Sequence, residues 1–372
     1  MLKRVYIDNY KSLVNVEIGL NEINLFLGAN GAGKSAVFEV LKKVQDFVCV
    51  GERITRVFSP ESRTRWQSSP YQTVELEIEG NGGTYKYGLE IEYKNKRARV
   101  KSERLFFDGQ LLLRFDQGDV HLYSDDSPSA STYSMDSTLS AVGMVPGRHN
   151  RKRLAWFKER LRRFVIVQII PPMMYGESSR EEPWSSSYLE NYVSWYRYIS
   201  QDQGLAFKLM DELKQVLPGF NHFKFERVGE KHRLLRVFFQ NEDDDKSLIG
   251  YNFDELSDGQ QMLIALYSLL YAARADKKYG YTLCLDEPEN FVALPEIQPW
   301  LIQVYDSCMD GEMQSVLISH HPEFINYLLA SPVGYWFARS SNRPTRVKPI
   351  DEKRDPDGLA MSELVARGWL DG

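Results

Sequence analysis

The chain is poor in cysteine and has no long apolar run, and each lack removes a class of protein. Three cysteines occur in 372 residues, Cys49, Cys284 and Cys308, with no Cys-x-x-Cys pair. That excludes a disulfide framework and a cysteine zinc site and points to a reducing cytosol. The longest apolar run, Phe164-Val-Ile-Val-Gln-Ile-Ile170, stops at Pro171-Pro172. It is too short to cross a bilayer and reads as a buried strand. A structured pattern that starts at Leu2 leaves no place for a signal peptide, so a cytoplasmic location without membrane contact is expected. Internal repeats, low-complexity linkers and long heptad arms are missing too. The net charge of −5 argues against wholesale coating of nucleic acid, though not against a local basic groove. At 43% hydrophobic and 26% charged residues, the composition is that of a soluble globular chain, long enough for one large domain or two ordinary ones.

What is present starts with Gly28-Ala-Asn-Gly-Ala-Gly-Lys34-Ser35. It follows the apolar run Ile23-Asn-Leu-Phe-Leu27 and opens a helical pattern from Ala36. Strand, glycine-rich turn and helix in that order make Gly-x4-Gly-Lys-Ser a P-loop. Backbone N–H groups of Gly28, Ala29, Asn30, Gly31, Ala32, Gly33 and the helix start through Ala36 must wrap phosphates closely, so side chains there stay small. Lys34 neutralises the β- and γ-phosphates of a triphosphate, and the Ser35 hydroxyl ligates Mg²⁺.

Around this loop the chain alternates apolar and polar residues as half-buried strands do, at Arg4–Asp8 and Val14–Ile18, then repeatedly from Gln72 to Phe107. Gly80-Asn-Gly-Gly83 is turn chemistry, so an antiparallel meander is expected. Residues 124–150, rich in Ser, Asp and Gly, read as a mobile or ligand-ordered loop, and 151–163 as a basic amphipathic helix. Two helices are expected over 187–217, stopped by Pro218-Gly219, with strands at 222–228 and 233–240. The whole of 1–372 is read as one head, with 108–250 as an insertion or lobe within it.

Three later segments bear on the nucleotide. Leu256-Ser-Asp-Gly-Gln260 leads into the helix pattern from Gln261. Tyr281-Thr-Leu-Cys-Leu-Asp286-Glu287-Pro288 is an apolar strand ending in two carboxylates, as in a Walker B motif: Asp286 for Mg²⁺, Glu287 to orient and deprotonate the attacking water. Ser315-Val-Leu-Ile-Ser-His320-His321 is again an apolar strand followed by polar residues.

Taken in order, these motifs resemble the ABC ATPase superfamily. Ile7-Asp-Asn-Tyr-Lys-Ser-Leu13, Asp286-Glu-Pro-Glu-Asn290 and the tail Met361–Trp369 are similar to its SMC, RecF and OLD-type branch, and most to short stand-alone RecF-like bacterial ATPases annotated by habit as AAA. The resemblance implies an α/β fold, a P-loop NTPase head with a mixed sheet, an N-terminal antiparallel β lobe and a helical insertion. It implies ATP and Mg²⁺ as ligands, and a homodimer sandwiching two nucleotides, in which Ser257 and Gly259 of one copy meet the γ-phosphate held by the other. Asp258 stands where the family has its first signature glycine, and Ser257 also reads as an ordinary N-cap. His320 aligns with the family's γ-phosphate histidine. Gln168 is the candidate for the family's Mg²⁺-contacting glutamine, and reads equally as a structural residue. No Toprim nuclease follows the head as it does in OLD proteins.

Two uses of hydrolysis are open from sequence. One is a sensor or scaffold in a bacterial anti-phage or genome-conflict system with a separately encoded effector, a nuclease or toxin. The other is a RecF-like repair clamp on DNA; a transporter subunit is more remote. DNA contact would run through Arg148–Arg163, where Arg148, Arg151, Lys152, Arg153, Lys158, Arg160, Arg162 and Arg163 face one acid, Glu159. A solvated face or a dock for an acidic partner explains that cluster equally. Arg53, Arg56, Arg63 and Arg65 form a second basic set.

Overall fold

A computed structural model describes residues 1–95, 97–125, 127–146, 151–241, 244–320, 324 and 334–350. The chain divides into two units. One comprises Met1–Phe164, Lys278–Cys284 and the chain from Met313; the other comprises Val165–Lys277 and Leu285–Glu312. The insertion expected over 108–250 coincides with neither. Arg148, His321 and the tail Met361–Trp369 lie outside the described residues.

The first unit opens with β1 (Leu2–Asp8), β2 (Val16–Gly19), β3 (Ile23–Gly28) and helix α1 (Lys34–Gln45). Six strands follow: β4 (Tyr71–Gly80), β5 (Gly83–Lys94), β6 (Arg97–Phe107), β7 (Gln110–Asp116), β8 (Asp119–Ser124) and β9 (Ser127–Ser134). Helix α2 (Lys152–Arg162) follows, and β10 (Phe164–Val167) begins at Phe164, after which the chain belongs to the second unit. The expected meander is an eight-stranded antiparallel sheet, ordered β2-β1-β4-β5-β6-β7-β8-β9. Its turns explain the register. Asn81-Gly82, Asp108-Gly109 and Gln117-Gly118 all take positive φ at both positions, the backbone that two-residue hairpins require. Strict alternation buries Val74, Leu76 and Ile78 on β4 and Tyr85, Tyr87, Leu89 and Ile91 on β5. The other face carries exposed or half-exposed pairs such as Lys86–Glu77 (3.2 Å) and Lys101–Glu90 (3.0 Å), which solvent screens.

The mobile loop expected over 124–150 is a correction. Residues 127–134 form β9, paired with β8, and Ala141–Met144 form a helical turn. That turn is capped by Ser140 and by Glu103, whose buried carboxylate accepts from Ala141 N (2.6 Å), Ser140 Oγ (2.7 Å) and Tyr87 OH (2.9 Å). Burial pushes that carboxyl above its usual range, against the opposing pull of these donors.

In the second unit lie β11 (Glu177–Ser178), α3 (Tyr192–Ile199), α4 (Gln203–Val216), β12 (Phe220–Val228), β13 (His232–Asn241), β14 (Asp244–Asn252), α5 (Asp258–Ala275) and α6 (Leu294–Met309). The two expected helices and both expected strands are there, and β14 extends the sheet beyond β13. Helix α5 is apolar nearly all round and correspondingly buried from Gln261 to Leu270. Trp300 of α6, fully buried, donates to Leu266 O (3.1 Å), and Tyr192 of α3 meets Ser268 Oγ (2.9 Å).

The remaining strands, β15 (Tyr281–Asp286), β16 (Met313–Ile318), β17 (Gly334–Ala338) and β18 (Arg346–Pro349), complete a six-stranded sheet ordered β10-β15-β16-β3-β17-β18. β16 and β17 pair with β3 in parallel, whereas β18 pairs with β17 antiparallel, so the sheet is mixed. β3 and β16 are buried at every residue, as central parallel strands are.

Candidate nucleotide site

In the first unit, the loop after β3 is shaped by three positive-φ glycines, and at two of them, Gly28 and Gly33, crowding leaves no room for a side chain. Gly28 (φ +135) abuts β17, where a Cβ would sit 2.1 Å from Phe337 O. Gly33 (φ +105) caps α1, and its Cβ would meet Thr345 Oγ1 at 2.7 Å and Ser12 Oγ at 2.9 Å. Those hydroxyls brace the loop. Thr345 Oγ1 is hydrogen bonded to Ala32 O (2.7 Å) and Ser12 Oγ (2.8 Å), and Thr345 N donates to Ser12 O (2.8 Å). Arg339 Nη1 donates to Gly31 O (3.3 Å) with its guanidinium 5.4 Å from the Trp66 ring.

Lys34 is buried, and its ammonium donates to Gly28 O (2.6 Å) and Ala29 O (3.1 Å). Its charge is therefore fixed under the loop. Ala29, Asn30, Gly31 and Ser35 are exposed, while Ala32 is buried and Gly33 and Ala36 are half-buried. The first turn of α1 contains no acid and no side-chain cap, so the positive end of its dipole and its N-terminal N–H groups suit an anion. His320 is exposed two residues beyond β16, also in this unit.

In the second unit, Asp286 is the last residue of β15 and is half-buried. Glu287 follows with φ +51, and Asn290 Nδ2 donates to its Oε2 (2.9 Å). Ser257 is the N-cap of α5. Its Oγ accepts from Gln260 N (3.3 Å), and Gln260 Oε1 accepts from Ser257 N (3.1 Å), a reciprocal cap. The capping reading of Ser257 is thus correct, and its O–H hydrogen is not used by the cap. Asp258, exposed in the first turn, lies where the helix dipole favours an acid. Gly259 has its own reason for lacking a side chain: a Cβ would stand 2.9 Å from Phe291 O. Gln168 follows β10, half-buried, its N–H donating to Ser187 O (2.9 Å).

The donors proposed from sequence for a metal, Ser35, Asp286 and Gln168, offer hydroxyl, carboxylate and amide oxygen. That hard-oxygen set suits Mg²⁺ and not a thiophilic metal. Sequence reasoning missed Thr345 and Asn290. Asn290, three residues after Glu287 and two after Pro288, carried a turn signal; Thr345 carried none.

The basic cluster is largely spent inside the first unit. Arg160 is 1% exposed, bonds to Thr282 Oγ1 (2.5 Å) and lies over Phe164. Lys158 donates to Gly143 O (2.6 Å) and Val145 O (3.1 Å), and burial lowers its pKa. Arg162 and Arg163 both pair with Glu159, Arg163 also stacking over Tyr279, and Arg153 bonds Gln110 (2.8 Å). Lys152 is exposed. In the second set, Arg53 pairs with Asp136 (2.9 Å) and Arg56 with Glu52 (3.2 Å), and Arg63 lies over Tyr93.

A family model described as "AAA domain, putative AbiEii toxin, Type IV TA system" matches residues 23–326. No curated protein sequence matches the chain. Among solved structures, the SMC head bound to the C-terminal winged-helix domain of ScpA aligns at TM-score 0.55 and 11% identity, over 95% of this chain and 99% of that one. The SMC head domain from Thermotoga maritima aligns at TM-score 0.48 and 13% identity, over 94% and 99%.

Proposed function

We propose, for a chain that belongs to this AAA domain family and has the fold of an SMC/RecF-like ABC-type ATPase, that it binds and hydrolyses ATP and dimerises upon it. The observation that carries the reading is the braced glycine loop over a buried lysine at the start of an acid-free helix. Its N–H groups and Lys34 take the β- and γ-phosphates. Ser35 and Asp286, with Gln168 a further oxygen donor, would hold Mg²⁺, which would supply charge neutralisation on the phosphates. Glu287 orients a water and accepts its proton as the water oxygen attacks the γ-phosphorus and the bond to ADP breaks. His320 contacts the γ-phosphate. Ser257 offers its O–H, and Gly259 its N–H, to the nucleotide of a second copy.

The use of this cycle is best read as sensing within a bacterial conflict system, with a separately encoded effector. The family description supports a role in such a conflict system, and the contacts that hold Lys158, Arg160, Arg162 and Arg163 within the chain leave fewer of these side chains for a DNA clamp. Among the described residues no helix is long and apolar enough to cross a membrane. The test is light scattering of Glu287→Gln with Mg·ATP. A stable dimer is expected; a monomer at saturating ATP refutes the sandwich. An ATPase rate that rises severalfold with duplex DNA alone would favour the clamp instead.

A further inference from the structure

Glu287 occupies backbone that L residues with long side chains rarely adopt, φ +51, immediately after β15. Such a conformation persists only where its surroundings hold it. The turn that follows is one such holder. Asn290 N donates to Glu287 O (3.1 Å), and Asn290 Nδ2 donates to Glu287 Oε2 (2.9 Å). Pro288, buried between them, fixes its own φ and keeps the turn tight. Asn290 is exposed, so packing does not call for an asparagine there. Beyond it Phe291, again at positive φ (+70), sets its carbonyl against Gly259, so the turn is also fixed at its far end.

We infer that Asn290 is a positioning residue for ATP hydrolysis: it holds the Glu287 carboxylate by Oε2 in the orientation that receives a proton from water. This rests on Glu287 being the water-activating group. An amide is the appropriate holder. It donates without carrying charge, so the carboxylate keeps the negative charge a base needs; a lysine or arginine would cancel that charge, and an aspartate would repel it. The five-residue turn from Glu287 to Phe291 thereby ties the carboxylate to the α5 start at Gly259.

The experiment is a double-mutant cycle on the full chain, reading kcat and ATP affinity separately. Asn290→Ala should lower kcat about 10- to 100-fold, from loss of orientation, with the ATP dissociation constant within about twofold of wild type. Asn290→Asp, equal in size, should fall further. In a Glu287→Gln background, adding Asn290→Ala should change the residual rate by less than about twofold, because the group it acts through is gone. A wild-type kcat in Asn290→Ala, or the same fractional loss in both backgrounds, overturns the inference. Should Glu287→Gln itself hydrolyse ATP at the wild-type rate, the premise about Glu287 fails, a result distinct from failure of the Asn290 contact.

Discussion

Replacing Gly33 by alanine should unseat the phosphate loop while both units stay folded. The residue has φ +105, and a sparsely populated backbone of that kind costs about 1–3 kcal/mol for a residue with a Cβ. The new methyl would also press within 2.7 Å of Thr345 Oγ1 and 2.9 Å of Ser12 Oγ. Those hydroxyls cannot retreat freely, since Thr345 is bonded to Ala32 O and both anchor the turn. Crowding of this sort adds about 1–3 kcal/mol. Gly31→Ala is the internal control. Its φ of +77 brings a backbone cost, but nothing stands within 4 Å of its Cβ. Urea unfolding should therefore place Gly33→Ala below Gly31→Ala by about 1–3 kcal/mol. Calorimetry should show Gly33→Ala weakened at least about tenfold for Mg·ATP, the equivalent of 1.4 kcal/mol. Equal stability of the two variants, together with wild-type affinity in Gly33→Ala, would refute the claim that Thr345 and Ser12 shape this loop.

Two further outcomes follow from buried titratable groups. Burial pushes the Cys284 thiol up to about 12, so at pH 8 only about one molecule in ten thousand carries its thiolate. Alkylation mapped by mass spectrometry should leave Cys284 unmodified in the native protein while a urea-unfolded sample labels fully; native labelling of Cys284 at the unfolded rate contradicts its burial. The raised carboxyl of Glu103 favours the protonated state on folding, so its contribution to stability is complete below the ordinary glutamate range and is lost as pH rises through the higher native value. Unfolding free energy of the wild type should accordingly fall over that window relative to Glu103→Gln; parallel pH profiles would show that the surrounding donors fully offset the burial.

The parts of the fold legible in sequence were those where backbone geometry dictates residue type. The P-loop is one, because phosphate-wrapping turns demand glycine at fixed spacing, and the β4–β6 part of the meander is another, because the Gly80-Asn-Gly-Gly83 turn separates strands of clean alternation. Strand β9 was not legible: its Ser- and Thr-rich sequence has no apolar period, and it is a strand only because β8 supplies the hydrogen bonds. The charges of α2 were visible, but their partners were not. Arg160 meets Thr282, 122 residues away, a contact that no local pattern encodes. The same holds for Thr345 against Ala32, 313 residues apart, and for the division of the chain at Phe164 and Lys277. Such pairings come from tertiary contacts, which composition and periodicity do not report.

Nucleotide binding by the wild type and by Lys34→Ala, measured calorimetrically with Mg²⁺ and a slowly hydrolysed ATP analogue, tests the central claim most directly. Saturable binding by the wild type and its loss in a folded Lys34→Ala protein are predicted. Binding of equal strength in Lys34→Ala, or none in the wild type, would contradict the assignment.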